Sequence, residues 1–455
     1  MLAGGCYCGG DVSTDLLQVA IIGSGPAGYY TAEALAESIH AVSVDVIDRL
    51  PTPFGLIRTG VAPDHQSIKN VTKRYDQTAS RDDVRFVGNL SIGRDVSVAE
   101  LLDLYDAVVL ATGALQDRKL GISGEDLAGV RGSADIVGWY NTHPDYVALT
   151  PELNTPSVVI IGNGNVAIDV ARVLAKTEAE MAGSDISPKA KDAISRMPLR
   201  TIRIFGRRGP MDASFTPKEL GEMGRLERAV PLVDKADLPS MDGDADLEPK
   251  QRKVLAALRG FGDHSAQEKP VQVHFGFYAR PVEILGHDRV DGVLMERTRV
   301  ENGACIGTGE MFTVPCGLLI SCIGYRSSAI EGVPFDERLG RFVNNDGFIS
   351  DRLYAVGWAR RGPTGTIGTN KPDGAEIAKR ILNDVQPMDK PGRKGLDALI
   401  AKRQIRAVTF RDWQKIDAAE RQAAEGENPR LKFARLDDML DVVGNEAIET
   451  QQVKK

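Results

Sequence analysis

Two glycine-rich turns in this sequence have the residue spacing that binds dinucleotides. The first is GSGPAG at 23–28, in which Gly23, Gly25 and Gly28 follow the apolar run QVAII. The second is GNGNVA at 162–167, after the apolar run SVVII. In such a turn the first glycine allows a tight bend, the second lets the backbone approach a pyrophosphate, and the third lets helix and strand pack closely. The chain is therefore predicted to hold two nucleotides.

The strands that follow the two turns end in residues of opposite charge. About 20 residues after the first turn, Asp48 ends the strand SVDVID, where a carboxylate can accept a hydrogen bond from a ribose hydroxyl. The strand TIRIFG, after the second turn, leads into Arg207 and Arg208. At ~1.5–3 kcal/mol for each charge-assisted hydrogen bond, the arginine pair favours a phosphorylated ribose by roughly two to four orders of magnitude. This predicts NADPH rather than NADH at the second turn; the alternative is that all three residues are solvated strand ends.

Each turn needs a strand before it and a helix after it, and further apolar runs extend this pattern along the chain. The runs YDAVVLATGA at 105–114 and GLLISCIGYR at 317–326 are both typical of a buried strand, and the complete second nucleotide unit lies between them. A third such run, LYAVGW, ends at Trp358. We therefore expect an α/β protein with two doubly wound, Rossmann-like dinucleotide-binding domains, the second inserted into a discontinuous first one.

The same order of runs gives the predicted domain boundaries. The first domain is expected to comprise 15–115 and 331–455, and the inserted domain 116–330. The later part of the first domain includes two amphipathic stretches, DALIAKRQIRAVTF and RDWQKIDAAERQAA, which we expect to form helices that brace it. Residues 1–14 are expected to be a disordered leader. Residues 235–270 are predicted to be a peripheral excursion with a helix near VLAALRGF and no chemistry.

Composition narrows the class of protein. The chain has 455 residues, 42% of them hydrophobic, which is enough for two domain cores. Its 56 basic and 63 acidic residues give a net charge of −7, so we expect neither nucleic acid nor an anionic membrane surface as a partner. No apolar run reaches the ~20 residues that cross a bilayer, and the amino terminus does not resemble a signal peptide. A cytoplasmic protein is the expectation.

The five cysteines do not form a pattern of known chemistry. They are odd in number and include no C-x-x-C pair, which argues against a disulfide scaffold and against a dithiol redox centre. Cys6 and Cys8 form a C-x-C in the leader, but no other plausible metal ligands are near them in sequence. We therefore expect no metal site. The cysteines are Cys6, Cys8, Cys305, Cys316 and Cys322.

Several longer stretches are more specific than either glycine turn. They are QVAIIGSGPAG, PTPFGLIRTGVAPDH at 51–65, GWYNTHP at 138–144, GNGNVAIDVAR at 162–172, GRRGP at 206–210, FTPKEL at 215–220 and GWARRGPTGTIGTN at 357–370. With these stretches nearly the whole chain resembles the adrenodoxin reductase type of ferredoxin NADP reductase, a flavoprotein family of mitochondria and bacteria. The resemblance implies FAD in the first and last parts of the chain and NADPH in the middle.

The resemblance also implies which residues contact FAD. The first turn would meet the pyrophosphate, Asp48 the adenosine ribose, and the segment at 357–370 the flavin. Backbone amides at a helix amino terminus suit a flavin carbonyl that gains negative charge on reduction. The implied FAD contacts are Gly23, Gly25, Ala27, Gly28, Asp48, Leu56, Ile92, Trp358, Gly365, Thr366 and Ile367.

For NADPH, the resemblance implies contacts to the pyrophosphate, the ribose phosphate and the nicotinamide. The residues are Asn163, Gly164, Asn165 and Val166 at the pyrophosphate, Arg207 and Arg208 at the ribose phosphate, Glu219 nearby and Gly365 beside the nicotinamide. His65, Asp169 and Glu219 are the implied catalytic residues. Hydride transfer needs no protein acid or base, so we expect them to orient the nicotinamide or manage flavin protons. The alternatives are a structural loop histidine and, for Asp169, a helix residue paired with Arg172.

The function implied by the resemblance is electron transfer from NADPH through FAD to a small, acidic, two-iron ferredoxin that serves a cytochrome monooxygenase. A monomer is expected. Candidate docking residues on the inserted domain are Arg196, Arg200, Arg203 and the 225–228 region. Two alternatives stay open: an NADPH diaphorase with a quinone or another protein as acceptor, and a non-catalytic protein that senses NADPH.

Overall fold

The computed structural model describes residues 16–444, and its first sheet contains the first glycine turn. The strands of this sheet are β1 (Leu17–Ile22), β2 (Val42–Ile47), β3 (Val84–Val87), β4 (Ala107–Leu110), β18 (Phe348–Ser350) and β19 (Leu353–Ala355). They lie in the order β18-β19-β4-β1-β2-β3 and are parallel except for the edge strand β18. Two segments distant in sequence thus share one sheet.

The second sheet contains the second glycine turn. Its strands are β6 (Val130–Gly132), β7 (Ser157–Ile161), β8 (Thr201–Phe205), β9 (Ala229–Val233), β10 (Val271–Gly276) and β14 (Leu318–Ser321). They are all parallel, in the order β6-β14-β7-β8-β10-β9. Every strand of this sheet comes from chain between β4 and β18, so the predicted fold class, one dinucleotide-binding domain inserted into another, is confirmed.

Smaller strands join and extend the two sheets. The two chain segments that cross between the sheets pair as an antiparallel ribbon, close to the boundaries predicted at 115/116 and 330/331, which stay predictions. An antiparallel sheet whose central and last strands form a long hairpin lies beside the second sheet; the sequence did not predict it. The ribbon consists of β5 (Gln116–Asp117) and β15 (Tyr325–Arg326). The antiparallel sheet consists of β11 (Ala279–Gly286), β12 (Val290–Glu301) and β13 (Ala304–Pro315). A further antiparallel pair consists of β16 (Phe335–Asp336) and β17 (Arg341–Phe342).

Helices cover the sheets, and the helix predicted after each glycine turn is present. The first half of the chain contributes α1 (Pro26–Ala36), α2 (Leu56–Thr59), α3 (Gln66–Lys69), α4 (Thr72–Ala79), α5 (Val98–Leu104), α6 (Ser133–Tyr140), α7 (Asn165–Ala175), α8 (Pro188–Ser195) and α9 (Pro217–Met223). The remainder contributes α10 (Pro249–Gly262), α11 (Trp358–Arg361), α12 (Asn370–Asp384), α13 (Gly392–Lys402), α14 (Phe410–Gln422) and α15 (Leu436–Val443). Helix α10 is the one predicted within 235–270.

The carboxyl-terminal helices brace the first sheet, as expected from their amphipathic pattern. On α14, Trp413 meets Phe54 edge to face, with 5.9 Å between ring centroids. The guanidinium of Arg58 binds the carboxylate of Glu420, which is fully buried on the same helix. These contacts hold the segment around Phe54 in place beside the first turn.

Two predictions concern the ends of the chain and membranes. The predicted leader, with Cys6 and Cys8, lies outside the described residues. Within 16–444, no helix is long and apolar enough to span a bilayer.

Candidate active site

The first glycine turn has the shape that a pyrophosphate requires. Gly23 has a φ of +111°, and a Cβ added there would lie 2.3 Å from the carbonyl oxygen of Ala111. A Cβ on Gly28 would lie 2.0 Å from the carbonyl oxygen of Gly23. A Cβ on Gly25 would meet no atom within 4 Å. The outer two glycines therefore permit tight packing, and the middle one faces open space that suits a pyrophosphate.

Ala27 brings the late part of the chain to this turn. It lies in the first turn of α1, and a Cβ added to Gly357 would come within 2.5 Å of its methyl group. Gly357 has a φ of +66°, and its backbone N–H donates to the buried carboxylate of Asp373 at 2.6 Å. Trp358, the next residue, is thereby fixed near the start of α1.

Asp48 braces the first turn from the neighbouring strand. One carboxylate oxygen accepts a 2.9 Å hydrogen bond from the backbone N–H of Ser24, and the Ser24 hydroxyl donates to the same oxygen. The other oxygen accepts from the backbone N–H of Leu50 at 3.0 Å. The carboxylate is half-buried and ends its strand as predicted. Its ribose contact stays a prediction.

The second turn repeats the geometry of the first with one change. Gly162 has a φ of +134°, and a Cβ there would lie 2.2 Å from the carbonyl oxygen of Cys322. Gly164 faces open space, while Ala167 replaces the third glycine and is fully buried. Val166, predicted at the pyrophosphate, is half-buried at the start of α7. The turn retains the open middle position that suits a pyrophosphate.

Both asparagines of the second turn connect it to the segment that follows β8. The side-chain oxygen of Asn165 accepts from the backbone N–H of Thr216 at 2.8 Å. The backbone carbonyl of Asn163 accepts from the N–H of Ser214 at 2.8 Å, while its buried side-chain oxygen has no hydrogen-bond partner in the structure. A buried acceptor without a donor is a group that a bound ligand can satisfy.

Arg207 and Arg208 lie at the carboxyl end of β8, as predicted. Arg207 is exposed, and Arg208 is half-buried. The Nη2 of Arg208 donates to the carbonyl of Gly303 at 2.9 Å, and its Nη1 lies 3.7 Å from the carboxylate of Asp212. Its buried Nε has no partner. The guanidinium is thus oriented and keeps donor capacity, which fits a phosphate group.

The three predicted catalytic residues come together from distant elements. One nitrogen or oxygen atom of each of His65, Asp169 and Glu219 lies within 4.8 Å of the others. His65 precedes α3, whereas Asp169 and Glu219 lie on α7 and α9 beside the second sheet. Such spacing could also suit a metal ion, but the guanidinium of Arg172, whose Nη1 is 2.6 Å from Asp169, already supplies positive charge there. The chemistry of the donors therefore favours a hydrogen-bonded ionic cluster.

Glu222 belongs to this cluster and was missed in the sequence. The Nε2 of His65 lies 2.9 Å from a carboxylate oxygen of Glu222 and 3.5 Å from one of Glu219. The two glutamates are three residues apart on α9, which places them on the same helix face. That spacing is the signal that could have identified Glu222.

Arg172 and Asp64 form the base of the cluster. The fully buried guanidinium makes a bidentate pair with Asp64 at 2.9 and 3.0 Å, and Lys176 binds the same carboxylate at 2.8 Å. Burial alone would raise the pKa of Asp64, but hydrogen bonds and charge from Arg172 and Lys176 outweigh it and hold the pKa well below its usual range. The alternative considered for Asp169, a pair with Arg172, is therefore also present in the structure.

Two carboxyl groups of the cluster are poised to hold a proton. Burial raises the pKa of Asp169, against the opposing charge of Arg172. Burial and the neighbouring Asp169 raise the pKa of Glu219, and its buried Oε2 makes no hydrogen bond in the structure. A buried carboxyl without a donor is more stable when protonated. The lack of a donor thus adds to the raised pKa of Glu219, whereas Asp169 accepts a hydrogen bond from Arg172.

The predicted flavin contacts in the late part of the chain lie at the start of α11 and in the segment between α11 and α12. The indole N–H of Trp358 donates to the carbonyl of Thr364 at 3.0 Å, and its ring stacks on Tyr325 with 6.2 Å between centroids. Gly365 has a φ of +83°, and the N–H of Thr366 donates to the side chain of Thr369 at 3.0 Å just before α12. One backbone amide expected to face the flavin is thus already hydrogen-bonded.

The remaining predicted FAD contacts are partly accessible apolar side chains. Leu56 begins α2 and is half-buried, as are Ile92 and Ile367. Ile92 packs against the apolar cluster on one face of the first sheet, and Ile367 against the aromatic cluster around Phe54. Ile92 and Ile367 thus lie at the edges of packed cores.

Comparison with known proteins identifies the family. Residues 17–197 match the pyridine nucleotide-disulphide oxidoreductase family. The mitochondrial NADPH:adrenodoxin oxidoreductase of Arabidopsis thaliana is 37% identical over 462 residues, covering 94% of this chain and 96% of that protein. The corresponding human protein is 38% identical over 456 residues, covering 94% of this chain and 92% of that protein.

Bacterial relatives agree in sequence and in structure. The NADPH-ferredoxin reductase FprA of Mycobacterium tuberculosis is 37% identical over 448 residues, covering 93% of this chain and 98% of that protein. The solved structure of FprA in complex with NADPH superimposes with a TM-score of 0.90, covering 93% of this chain and 99% of that one. The chain belongs to the adrenodoxin reductase family of NADPH-dependent ferredoxin reductases.

Proposed function

We propose that this protein oxidises NADPH and reduces a small, acidic ferredoxin of the two-iron type, with FAD and NADPH as its cofactors. The observation that carries the proposal is the ionic cluster of His65, Asp169 and Glu219, which joins residues of both nucleotide-binding sheets. FAD, held by the first glycine turn and Asp48, would supply the conversion between two-electron hydride chemistry and one-electron transfer to an iron-sulfur protein. The chain's own residues bind, orient and manage protons.

Binding is the task of the two glycine turns and their charged strand ends. The open sides of Gly25 and Gly164 suit the two pyrophosphates. We propose that Asp48 receives the adenosine ribose of FAD and that Arg208, with Arg207, receives the ribose phosphate of NADPH. Charge-assisted hydrogen bonds of this kind contribute ~1.5–3 kcal/mol each.

Proton management is the proposed task of the ionic cluster. Neither Asp169 nor Glu219 is needed to transfer a hydride, but both have raised pKa values and lie beside His65. We propose that His65 orients the nicotinamide while a proton is held between its Nε2 and the carboxyl groups of Glu219 and Glu222. The buried Asp64–Arg172 pair lies beneath these groups and holds them in position.

Three exposed arginines are the proposed docking surface for the ferredoxin. Arg196, Arg200 and Arg225 are exposed, although Arg196 pairs with Asp192 at 2.6 Å. Arg228, in contrast, donates to two carbonyl groups at the end of α7 and is held in a structural role. Arg203 is half-buried and is therefore less accessible to a partner.

Anaerobic mixing with NADPH or NADH tests the main proposal. The FAD-loaded protein should be bleached faster by NADPH than by NADH and then reoxidised by one member of a panel of two-iron ferredoxins. Reoxidation by quinones alone would instead favour the diaphorase alternative, and no bleaching by either nucleotide would favour NADPH sensing. Coupling to a cytochrome monooxygenase then tests the predicted consumer.

Three further measurements test separate parts of the proposal. His65→Gln should slow single-turnover bleaching by NADPH while FAD absorbance is retained; unchanged bleaching would contradict the role of His65. Raising salt should weaken reduction of the ferredoxin more than reduction of a small neutral dye, because screening weakens charged docking. If salt weakened both reactions equally, the proposed docking surface would be contradicted. Light scattering should give the mass of a monomer, the proposed oligomeric state.

A further inference from the structure

We propose that the hairpin of β12 and β13 is part of the NADPH-recognition site. Thr298, Cys305 and the carbonyl of Gly303 are positioning residues that hold Arg207 and Arg208 ready for the ribose phosphate. This inference rests on the proposed function of the arginine pair. It adds a specificity element from a sheet that contains neither glycine turn.

Two hydrogen bonds fix the backbone between the arginines. The carbonyl oxygen of Arg207 accepts from the hydroxyl of Thr298 at 2.7 Å and from the thiol of Cys305 at 3.0 Å. Thr298 is buried, so the bond is shielded from water. A hydroxyl from one strand and a thiol from the next therefore converge on a single carbonyl.

The tip of the hairpin orients the second guanidinium. Asn302 and Gly303 have φ values of +49° and +76°, the signature of a two-residue type I′ turn, and Glu301 pairs with Ala304 across it. The carbonyl of Gly303 accepts from the Nη2 of Arg208 at 2.9 Å. Because this turn type matches the twist of the strands, the carbonyl is held on a stiff support.

Tyr278, the residue just before β11 of the same sheet, also binds the backbone at the arginine pair. The N–H of Tyr278 donates to the carbonyl of Arg208 at 3.2 Å, and the N–H of Thr298 donates to the carbonyl of Tyr278 at 2.8 Å. A Cβ added to Gly209 would lie 2.1 Å from the Tyr278 hydroxyl oxygen. The segment GRRGP thus lies directly against this sheet.

Pre-orientation matters because a free arginine side chain loses rotamer entropy when a ligand fixes it. In this structure the half-buried Arg208 is already held by Gly303, while its buried Nε lacks a partner. A phosphate that arrives at Arg208 meets an ordered donor and satisfies an unpaired group. The hairpin should therefore affect binding of the phosphate rather than of the rest of the nucleotide.

The test is the double variant Thr298→Val and Cys305→Ala in the FAD-loaded protein. We expect the affinity for 2′,5′-ADP, measured by calorimetry, to fall about 5- to 30-fold, as for the loss of two neutral hydrogen bonds. The ratio of kcat/KM for NADPH to that for NADH should fall to the same extent, through KM for NADPH. The conservative pair Thr298→Ser and Cys305→Ser keeps both donors and should restore the affinity.

Thr308→Val is the matched control. Its hydroxyl donates to the carbonyl of Arg297 at 3.0 Å, within the same hairpin but without contact to the arginine turn. The proposal is overturned if the double variant binds 2′,5′-ADP like the unaltered protein, or if Thr308→Val weakens binding equally. The double variant Arg207→Ala with Arg208→Ala distinguishes a failure of the hairpin proposal from a failure of the proposed phosphate site. If that variant still binds 2′,5′-ADP normally, the proposed phosphate site itself is wrong.

Discussion

The two glycine turns share one backbone plan but are completed in different ways. In the first, Asp48 accepts from the backbone of Ser24 and Leu50, so the charged strand end closes on its own turn. In the second, the hydrogen bonds of the arginine pair run to the distant hairpin: Arg208 donates to Gly303, and the carbonyl of Arg207 accepts from Thr298. The charged strand end of the first site is thus fixed by its own turn, whereas that of the second is fixed by a separate sheet.

The helices after the two turns also differ in whether their ion pairs are formed within one unit or between the units. Glu33 and Arg172 occupy equivalent positions, ten residues after Gly23 and Gly162. Glu33 pairs with Arg74, a partly exposed residue, at 2.8 Å. Arg172 is fully buried and pairs with Asp64, a residue from a loop of the other nucleotide unit. The helix after the second turn therefore carries a buried contact between the two units, whereas the equivalent position after the first turn carries a partly exposed pair within its own unit.

The largest effect is expected from removing the positive strand end. Arg207→Ala with Arg208→Ala should lower kcat/KM for NADPH by roughly 10²- to 10⁴-fold, because each charge-assisted hydrogen bond contributes ~1.5–3 kcal/mol. Steady-state rates with NADPH and NADH measure it. Arg252→Ala, at an exposed position on α10, is the control. A proportional loss with NADH would mean that the arginines do not read the phosphate.

A smaller effect is expected on the stability of the joint between the units. Asp64→Asn should lower the free energy of unfolding by about 1.5–3 kcal/mol at pH 7, since it removes the bidentate charge-assisted pair of the buried Arg172 and leaves that guanidinium only its hydrogen bond to Asp169. Glu33→Gln, at the partly exposed pair, should cost no more than ~1 kcal/mol. Urea unfolding of the FAD-loaded protein measures both. Equal losses would contradict the contrast between the two helices.

The pH dependence of the same variant follows from the lowered pKa of Asp64. A carboxyl whose folded pKa lies below its unfolded value of about 3.9 stabilises the fold above that pH and loses this effect as the pH falls toward the folded pKa. The stability difference between the unaltered protein and Asp64→Asn should therefore be full at neutral pH and shrink below about pH 4. A difference that stayed constant on acidification would exclude the ionised pair as its cause.

The next effect in size is a loss of stability expected from a substitution at the third glycine of the first turn. Gly28→Ala should destabilise the FAD-free protein by about 1–3 kcal/mol, because its Cβ would overlap the carbonyl oxygen of Gly23 and force a backbone shift. Gly25→Ala is the informative partner: its Cβ meets no protein atom, so it should leave thermal unfolding of the FAD-free protein unchanged yet impair FAD binding. If Gly25→Ala retained full FAD affinity, the pyrophosphate would not lie there.

The smallest effect is expected at the equivalent position of the second turn. Ala167 is fully buried and already carries a Cβ, so Ala167→Gly should cost only about 1 kcal/mol in helix stability. Thermal unfolding measures the cost, and NADP⁺ affinity should change little. A large loss of NADP⁺ affinity would show that the two turns are more alike than their packing indicates.

Much of the fold could be predicted because its signals are local. The apolar runs before Gly23 and Gly162 lie in the buried strands β1 and β7, and the helices after them begin within the glycine turns. The inserted arrangement was also predictable, because the second unit lies between two buried strand-like runs. The antiparallel sheet of β11–β13 was missed, since the buried residues of β12 do not alternate regularly and β13 is largely exposed.

The candidate site, like the fold, was predicted only in part. His65, Asp169 and Glu219 were named from motif resemblance, and the structure brings them together. Glu222 and Asp64 were missed. The spacing from Glu219 places Glu222 on the same helix face, but the sequence does not show that this glutamate lies 2.9 Å from a histidine more than a hundred residues earlier. Their partners come from other elements.

By itself, the sequence determined the two binding turns, the sign of charge at each strand end and the order of the domains. These properties depend on glycine sterics and on short-range periodicity, which act over a few neighbouring residues. Only the tertiary structure decided that Arg172 is buried against Asp64 and that Thr298 and Cys305 hold the arginine turn. Those contacts join residues far apart in the chain, and they form because packing two sheets and a hairpin together brings their buried polar groups within hydrogen-bonding distance.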